Sequence, residues 1–286
     1  MPMQRKLALS TSGQERFVTR EGLAELRAAG VSAIEISYHT SVWPRLNLRE
    51  ITALARDAGV GVWSVHLPFQ DLDIASPDEA FRRKTLDLHE SILREAGACG
   101  IRTAVLHPCL EPFPEEERAL RMEQSKRSLA ELAEFADGQG VVVAVEDLPR
   151  GCLGNCSDEI LELVGADPRL RVCFDTNHLL REAAADFLAK MRGRIRTVHV
   201  SDYDFINERH WLPGEGDVDW PALLAALDAT GYEGPLLYEF GLATPATIER
   251  EHEMTLDDVA RNHRELMSGG PLTTFCRRKE NLGMWH

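Results

Sequence analysis

The chain has 286 residues, 44% of them hydrophobic and 27% charged, with 46 acidic against 32 basic side chains and a formal charge of −14. This composition supports one large core, and its acidity argues against a protein that grips phosphate backbones, which would carry clustered Lys and Arg. No apolar run approaches the roughly 18–20 residues of a bilayer span. The opening MPMQRKLALS lacks the apolar stretch of a secretory signal. Six scattered cysteines suit reduced thiols and a cytoplasmic location.

Short β-branched runs alternate with longer amphipathic stretches along the whole chain. Strands are predicted over 6–9, 33–37, 60–66, 103–107, 141–146, 171–175, 197–200 and 235–239. Helical spacing marks 21–29, 48–58, 78–98, 115–137 and 219–229 among the intervening stretches. Gly30, Gly59, Gly100, Gly140 and Gly231 each follow a helical run where a left-handed cap belongs, and Ser157 is expected to cap a helix over 158–164. In the segment PGEGDVDW, Asp217 or Asp219 is expected to cap the helix that begins near Trp220-Pro221, so that the segment serves as architecture positioning His210. The repeat of strand, helix, glycine and strand calls for a parallel sheet with right-handed crossovers. The first turn, Ser10-Thr11-Ser12-Gly13, lacks the Gly-rich fingerprint of an open nucleotide-binding sheet. Eight units of about 36 residues then predict a single α/β (β/α)8 TIM barrel over 1–268, its active site at the C-terminal strand ends. Residues 269–286 are expected to form a basic C-terminal tail, either an arm onto a neighbour or a disordered end.

Polar residues collect at those strand ends. Of ten histidines, His39, His66, His107 and His199 stand at or just beyond a predicted strand end, His178 follows strand six by three residues, and His210 lies in the loop after strand seven. Glu146 in VAVEDLP, Asp175 in VCFDTNH and Glu239 in LLYEF each close an apolar run. One such carboxylate is ordinarily a loop anchor, but six consecutive strands end in His, His, Glu, Asp, His and Glu. Brought to one mouth, that cluster would repel itself unless a divalent cation satisfied it. Mixed nitrogen and oxygen donors without a thiolate suit Mn²⁺, Co²⁺, Mg²⁺ or Zn²⁺. Cys109, Cys152 and Cys156 read as reduced loop thiols and Cys173 as core. Arg150, in the loop after strand five, is expected to be solvated.

The stretches SVHLPF, VLHP, VEDLP, CFDTNHLL, VHVSD, HWLPGEGDVDW and LLYEF, in that order across strands three to eight, resemble the xylose isomerase-like TIM-barrel superfamily. That group contains sugar and sugar-phosphate isomerases and epimerases, inosose isomerases and dehydratases, and endonuclease IV. The resemblance implies one divalent metal ion held by Glu146, Asp175, His199 and Glu239. It further implies Glu146 and Glu239 as the catalytic acid/base pair, moving a proton through a metal-bound enediolate of a sugar, sugar phosphate or related polyol ketone. His66, His107, His178 and His210 would bind substrate. Trp43, Phe69 and Trp211 are open to either an apolar wall against the substrate or ordinary packing. The group often pairs, which implies a homodimer, with a small-molecule partner and neither nucleic acid nor membrane. An inosose-type dehydratase is one alternative, and a metal-retaining barrel without turnover is another, disfavoured by the presence of both glutamates. An endonuclease IV-like phosphodiester hydrolase is a third. Glu208 stands where the endonuclease pattern carries Asp, and the charge of −14 weighs against DNA. Some ketose epimerases carry an Arg soon after the strand-seven His; here 201–206 have none, and Arg209 is the nearest.

Overall fold

All eight predicted strands form, as β1 (Leu7–Ser10), β2 (Ala33–Ile36), β3 (Gly61–His66), β4 (Thr103–Leu106), β5 (Val142–Glu146), β6 (Arg171–Asp175), β7 (Ile195–Val200) and β8 (Leu236–Tyr238). The structure is a computed structural model describing residues 3–12 and 14–279; Gly13 of the first turn and residues 280–286 of the tail lie outside the described residues. Each strand pairs in parallel with the next, and β8 pairs with β1 to close the barrel. Helices cover the outside: α1 (Arg20–Ala28), α2 (Leu48–Ala58), α3 (Glu79–Ala98), α4 (Arg118–Gly138), α5 (Ser157–Val164), α6 (Ala184–Lys190), α7 (Trp220–Ala229) and α8 (Leu256–Ser268). Among the described residues, no helix is long and apolar enough to cross a membrane.

Local chemistry sets the helix ends. In α2, the Asn47 side chain accepts the Glu50 amide, Leu48, Ile51 and Ala55 face the barrel, and Gly59 stops the helix at φ 73°, a left-handed conformation that costs glycine nothing. The other four glycines expected in that role also have positive φ. Asp219 caps α7 by accepting the Ala222 amide at 3.0 Å. The helix predicted from 115 opens as a 3-10 turn over Glu115–Glu117 before α4 begins, a frequent geometry at a helix start. Ser157 does not cap α5. It is the first helical residue, and the Glu182 carboxylate takes both its amide and its hydroxyl, the latter at 2.7 Å. An anion at a helix N-terminus is favoured by the dipole and takes over the capping role.

The main core lies between barrel and helices and includes Leu9, Ile34, Val65 and Phe174, while Val105, Ala144 and Cys173 form a small cluster of their own. Each member of that cluster precedes by two residues a group at the mouth: His107, Glu146 and Asp175. Alternation along a strand therefore sends the functional side chains to the same side as these small residues. At the opposite end, register slips in β3 and β7 skip Trp63 and Arg196. The Trp63 indole donates to Thr197 Oγ1 at 3.0 Å and Arg196 Nε donates to Thr103 Oγ1 at 2.9 Å. Bulges of this kind re-aim a side chain, and here they close the floor of the barrel.

The described part of the tail packs on its own barrel. A strand over Cys276–Arg278 (β10) runs antiparallel to Ile248–Arg250 (β9). Arg250 forms a buried two-pronged bond to Glu215 at 3.0 and 2.7 Å, and Arg278 donates to the Glu215 carbonyl at 2.8 Å and pairs with Asp217. The loop after β7 is thereby tied down from outside.

Candidate active site

The strand ends open into a cavity of about 510 Å³ at the barrel mouth. Four side chains named from the sequence converge there as one donor set. Glu146 closes β5, Asp175 closes β6, His199 lies in β7 and Glu239 follows β8, and one ligand atom from each lies within 4.8 Å of the others. His199 Nδ1 is 2.8 Å from Glu146 Oε1, 2.8 Å from Glu239 Oε2 and 3.8 Å from Asp175 Oδ2. One imidazole N–H cannot serve three carboxylates, and Asp175 Oδ2, fully buried, has no hydrogen-bond partner among the described residues. Its other oxygen accepts the Asn177 amide at 2.7 Å, and the Asp175 amide is held by Asp147 Oδ1 at 2.8 Å. Three carboxylates and one imidazole at this spacing fit a divalent cation, which would satisfy the unpartnered oxygen and offset the crowded charge.

The electrostatics agree with that fit. Burial pushes Asp175 up to about 6, with Glu239 and Glu146 adding repulsion against the pull of His178 and His199. Burial opposes ionisation of Glu239 too, but His199 holds it at about 2. Glu146 is likewise kept well below the usual carboxylate range, against burial, by His199 and His107. Burial disfavours charge on His199, yet the carboxylates of Glu239, Glu35 and Glu146 raise it well above an ordinary imidazole. Cys173 is pushed well up by burial and stays a thiol beneath the site.

Two further donor sets flank the first: His66, His107 and Glu146 on one side, and His178, Glu208 and His210 on the other. His66 Nε2 and His107 Nε2 each approach Glu146 Oε2 at 3.0 Å. Burial works against charge on His66, but Glu146 raises it to about 9. His107 is lowered by burial. His178 Nδ1 donates to the Asp147 carbonyl at 2.7 Å while its Nε2 meets Glu208 Oε1 at 2.9 Å. His210 adopts φ 49° and directs Nδ1 to the Glu239 carbonyl at 3.2 Å. All four histidines line the cavity.

The loop geometry behind His210 starts from Asp202. Its carboxylate accepts the Gly214 amide at 2.7 Å, the Val218 amide at 3.2 Å and the Trp220 indole at 2.8 Å. Gly216 is required there, because a Cβ would stand 2.0 Å from Asp202 Oδ1 and 2.4 Å from the Tyr203 carbonyl. PGEGDVDW is thus the scaffold of the loop that carries His210.

Several residues differ from their sequence reading. Arg150 is not solvated: its side chain is 18% exposed, it lines the cavity, and it pairs with Glu111 and with Glu208 Oε2 at 2.5 Å. Those partners come from two other loops, so no local pattern announced them. Of the three aromatic candidates, Phe69 lines the cavity and stacks on His107 with centroids 3.9 Å apart. Trp43 and Trp211 are buried, with their indoles donating to the Tyr38 carbonyl and to Thr247 Oγ1. Glu35, missed from sequence, lies fully buried in β2, and its carboxylate approaches His199 Nε2 at 3.2 Å. The one signal was a carboxylate within the apolar run AIEI.

Comparison with known proteins agrees with this architecture. The chain spans about three fifths of the length of several curated relatives it matches. An L-ribulose 3-epimerase from Mesorhizobium japonicum is 29% identical over 230 residues, covering 76% of this chain and 73% of that protein. A 3-dehydroshikimate dehydratase from Pseudomonas putida is 28% identical over 258 residues, covering 83% of this chain and 38% of the other. A solved D-tagatose 3-epimerase-like protein superposes with a TM-score of 0.75 at 23% identity, over 92% of this chain and 96% of that one, a likeness of fold. Residues 23–258 match the xylose isomerase-like TIM barrel family, and the chain belongs to that family.

Proposed function

We propose that the protein is a divalent-metal-dependent epimerase or isomerase of a small polyhydroxylated ketone, with Glu146 and Glu239 as its acid/base pair. The observation that carries this reading is which of the four candidate ligands reach the cavity. Glu146 and Glu239 line it, whereas Asp175 and His199 stand behind them. The ligands that would hold a cation from behind are therefore distinct from the two that can also meet substrate. The L-ribulose 3-epimerase relative, matched over about three quarters of both chains, supports the same chemistry.

A bound divalent cation supplies Lewis acidity, which makes the C–H between a ketone and a neighbouring hydroxyl easier to deprotonate. Glu146 and Glu239, ionised at neutral pH and carried by strands on different parts of the barrel, then share the proton work. One takes the proton from carbon, giving the substrate enediolate, and the other returns a proton. Return to the same carbon from the other face inverts it; return to the former carbonyl carbon moves the carbonyl, giving an aldose where the deprotonated carbon is the terminal one. His66, His107, His178 and His210 line the cavity and on this reading hydrogen-bond hydroxyl groups, with Phe69 as an apolar wall.

An unphosphorylated substrate suits the lining. Among the described residues of the cavity wall, Arg150 is the one Lys or Arg, and Glu111 and Glu208 already engage it. A phosphate would also face Glu146 and Glu239. Phosphodiester hydrolysis is the second reading, favoured by the three adjacent donor sets. Against it, both oxygens of Glu208 are already in use, one by His178 and one by Arg150. The test is incubation of the Mn²⁺- or Co²⁺-loaded protein with a panel of free and phosphorylated ketoses and, separately, with a phosphodiester substrate, with products separated by chromatography. A new epimer or aldose from a free ketose supports the proposal. Cleavage of a phosphodiester with no change in any ketose overturns it.

A further inference from the structure

We propose that Glu35 is a positioning residue for the metal centre, fixing His199 so that its Nδ1 faces the cation; this rests on the metal reading of the four-residue set. Glu35 belongs to β2, on the barrel wall, and is fully buried. A buried carboxylate is costly unless its environment compensates, and its polar partners here are few. Ser64 Oγ donates to Oε2 at 2.7 Å, Ser10 Oγ to Oε1 at 3.5 Å, and His199 Nε2 lies 3.2 and 3.3 Å from the two oxygens. Strand register brings these groups together, because Ser10 pairs with Glu35 and Glu35 with Ser64. Two hydroxyls orient the carboxylate, which among the described residues leaves the imidazole as its one strong donor.

The two nitrogens of His199 thus have separate duties. Nε2–H is committed to Glu35, while Nδ1 points at Glu146, Asp175 and Glu239. A ring that gives its far N–H to a carboxylate is locked in one tautomer and orientation, and its other nitrogen becomes a better donor to a cation. Without Glu35 the ring could rotate or present the wrong tautomer. The loss expected for such an outer partner is about 10–100-fold in metal affinity.

The test titrates Mn²⁺ into metal-free wild type, Glu35→Gln and Ser64→Ala, counting free ion by electron paramagnetic resonance and following the melting temperature of each metal-free protein. The visible spectrum of each protein loaded with Co²⁺ reports the ligand field. Glu35→Gln should weaken Mn²⁺ at least about tenfold and shift the Co²⁺ spectrum, while Ser64→Ala, which only loosens the anchor, should weaken binding less. Affinities within about twofold of wild type in both variants, with an unchanged Co²⁺ spectrum, would overturn the role of Glu35 and leave the metal site standing. Should Glu35→Gln fail to fold, Ser64→Ala decides alone, a loss of Mn²⁺ affinity beyond about twofold supporting the role of Glu35 and an unchanged affinity and Co²⁺ spectrum overturning it. A wild type that binds neither Mn²⁺ nor Co²⁺ would overturn the metal reading and this inference together.

Discussion

On the acid/base role proposed for it, replacing Glu239 by glutamine should separate proton transfer from metal holding. The amide keeps the shape of the side chain and one carbonyl oxygen for the cation, but it cannot accept a proton from carbon. Glu239 is held at about 2 by His199 against the effect of burial, so at neutral pH the substitution removes a full charge and a base. Its Oε2 is 2.8 Å from His199 Nδ1, and its side chain is 14% exposed at the cavity wall, so the change is local. Loss of a positioned general base costs about 10²–10⁴-fold in rate, which corresponds to roughly 3–5 kcal/mol of barrier. The assay follows ketose epimerisation together with metal content by elemental analysis. The expected result is turnover lowered by about 10²–10⁴-fold with metal still bound. Because Glu146 remains, exchange of the carbon-bound proton with solvent should survive for one epimer and disappear for the other; Glu146→Gln should reverse that preference. Turnover within about threefold of wild type in metal-loaded Glu239→Gln would refute the acid/base assignment.

Three other outcomes are expected. Asp175, pushed up to about 6 by burial, binds its proton more tightly folded than unfolded, so its own contribution to metal-free stability is present at low pH and lost as pH rises through about 6. A cation held by the set must displace the proton of Asp175 and one from His199, itself raised well above an ordinary imidazole, so Mn²⁺ affinity should fall as pH drops from about 7 to about 5 and fall more steeply below about 6, where Asp175 joins; a slope that does not steepen there would count against Asp175 as a ligand. Gly216→Ala should destabilise by about 1–3 kcal/mol and lower the melting temperature by several degrees, since the new Cβ meets Asp202 and the Tyr203 carbonyl. An unchanged melt would mean that the His210 loop is not held as described. Arg150→Ala should free Glu208 and allow a second ion at His178, Glu208 and His210, read as metal per chain against one in wild type. A wild type already holding two or more would contradict the blocking role of Arg150.

The barrel and most of its mouth were legible because strand ends carry strong contrasts. A carboxylate after VAV or VCF has no reason to be there unless something at the barrel top needs it, and six consecutive strands ending in His, Glu or Asp fix the order of the site. Glu35 escaped because it lies within a strand rather than at its end, and its partner His199 is 164 residues away. Arg150 escaped for a related reason. Its loop is polar and local pattern suggested solvent, but Glu111 and Glu208, 39 and 58 residues distant, fold over it. Phe69, Trp43 and Trp211 were indistinguishable from sequence, since an aromatic ring near a strand end suits a cavity wall and a packed loop equally. Ser157 was misread because the side chain that satisfies the helix start comes from Glu182, outside the capping pattern.

The most direct test of carbon-acid chemistry at this mouth is proton–deuterium exchange, with the metal-loaded protein incubated with free ketoses in D₂O and followed by NMR. The expected result is deuterium at the carbon next to the ketone, dependent on restored metal and lost on chelation. Metal firmly bound at one ion or more per chain with no exchange into any ketose would contradict it.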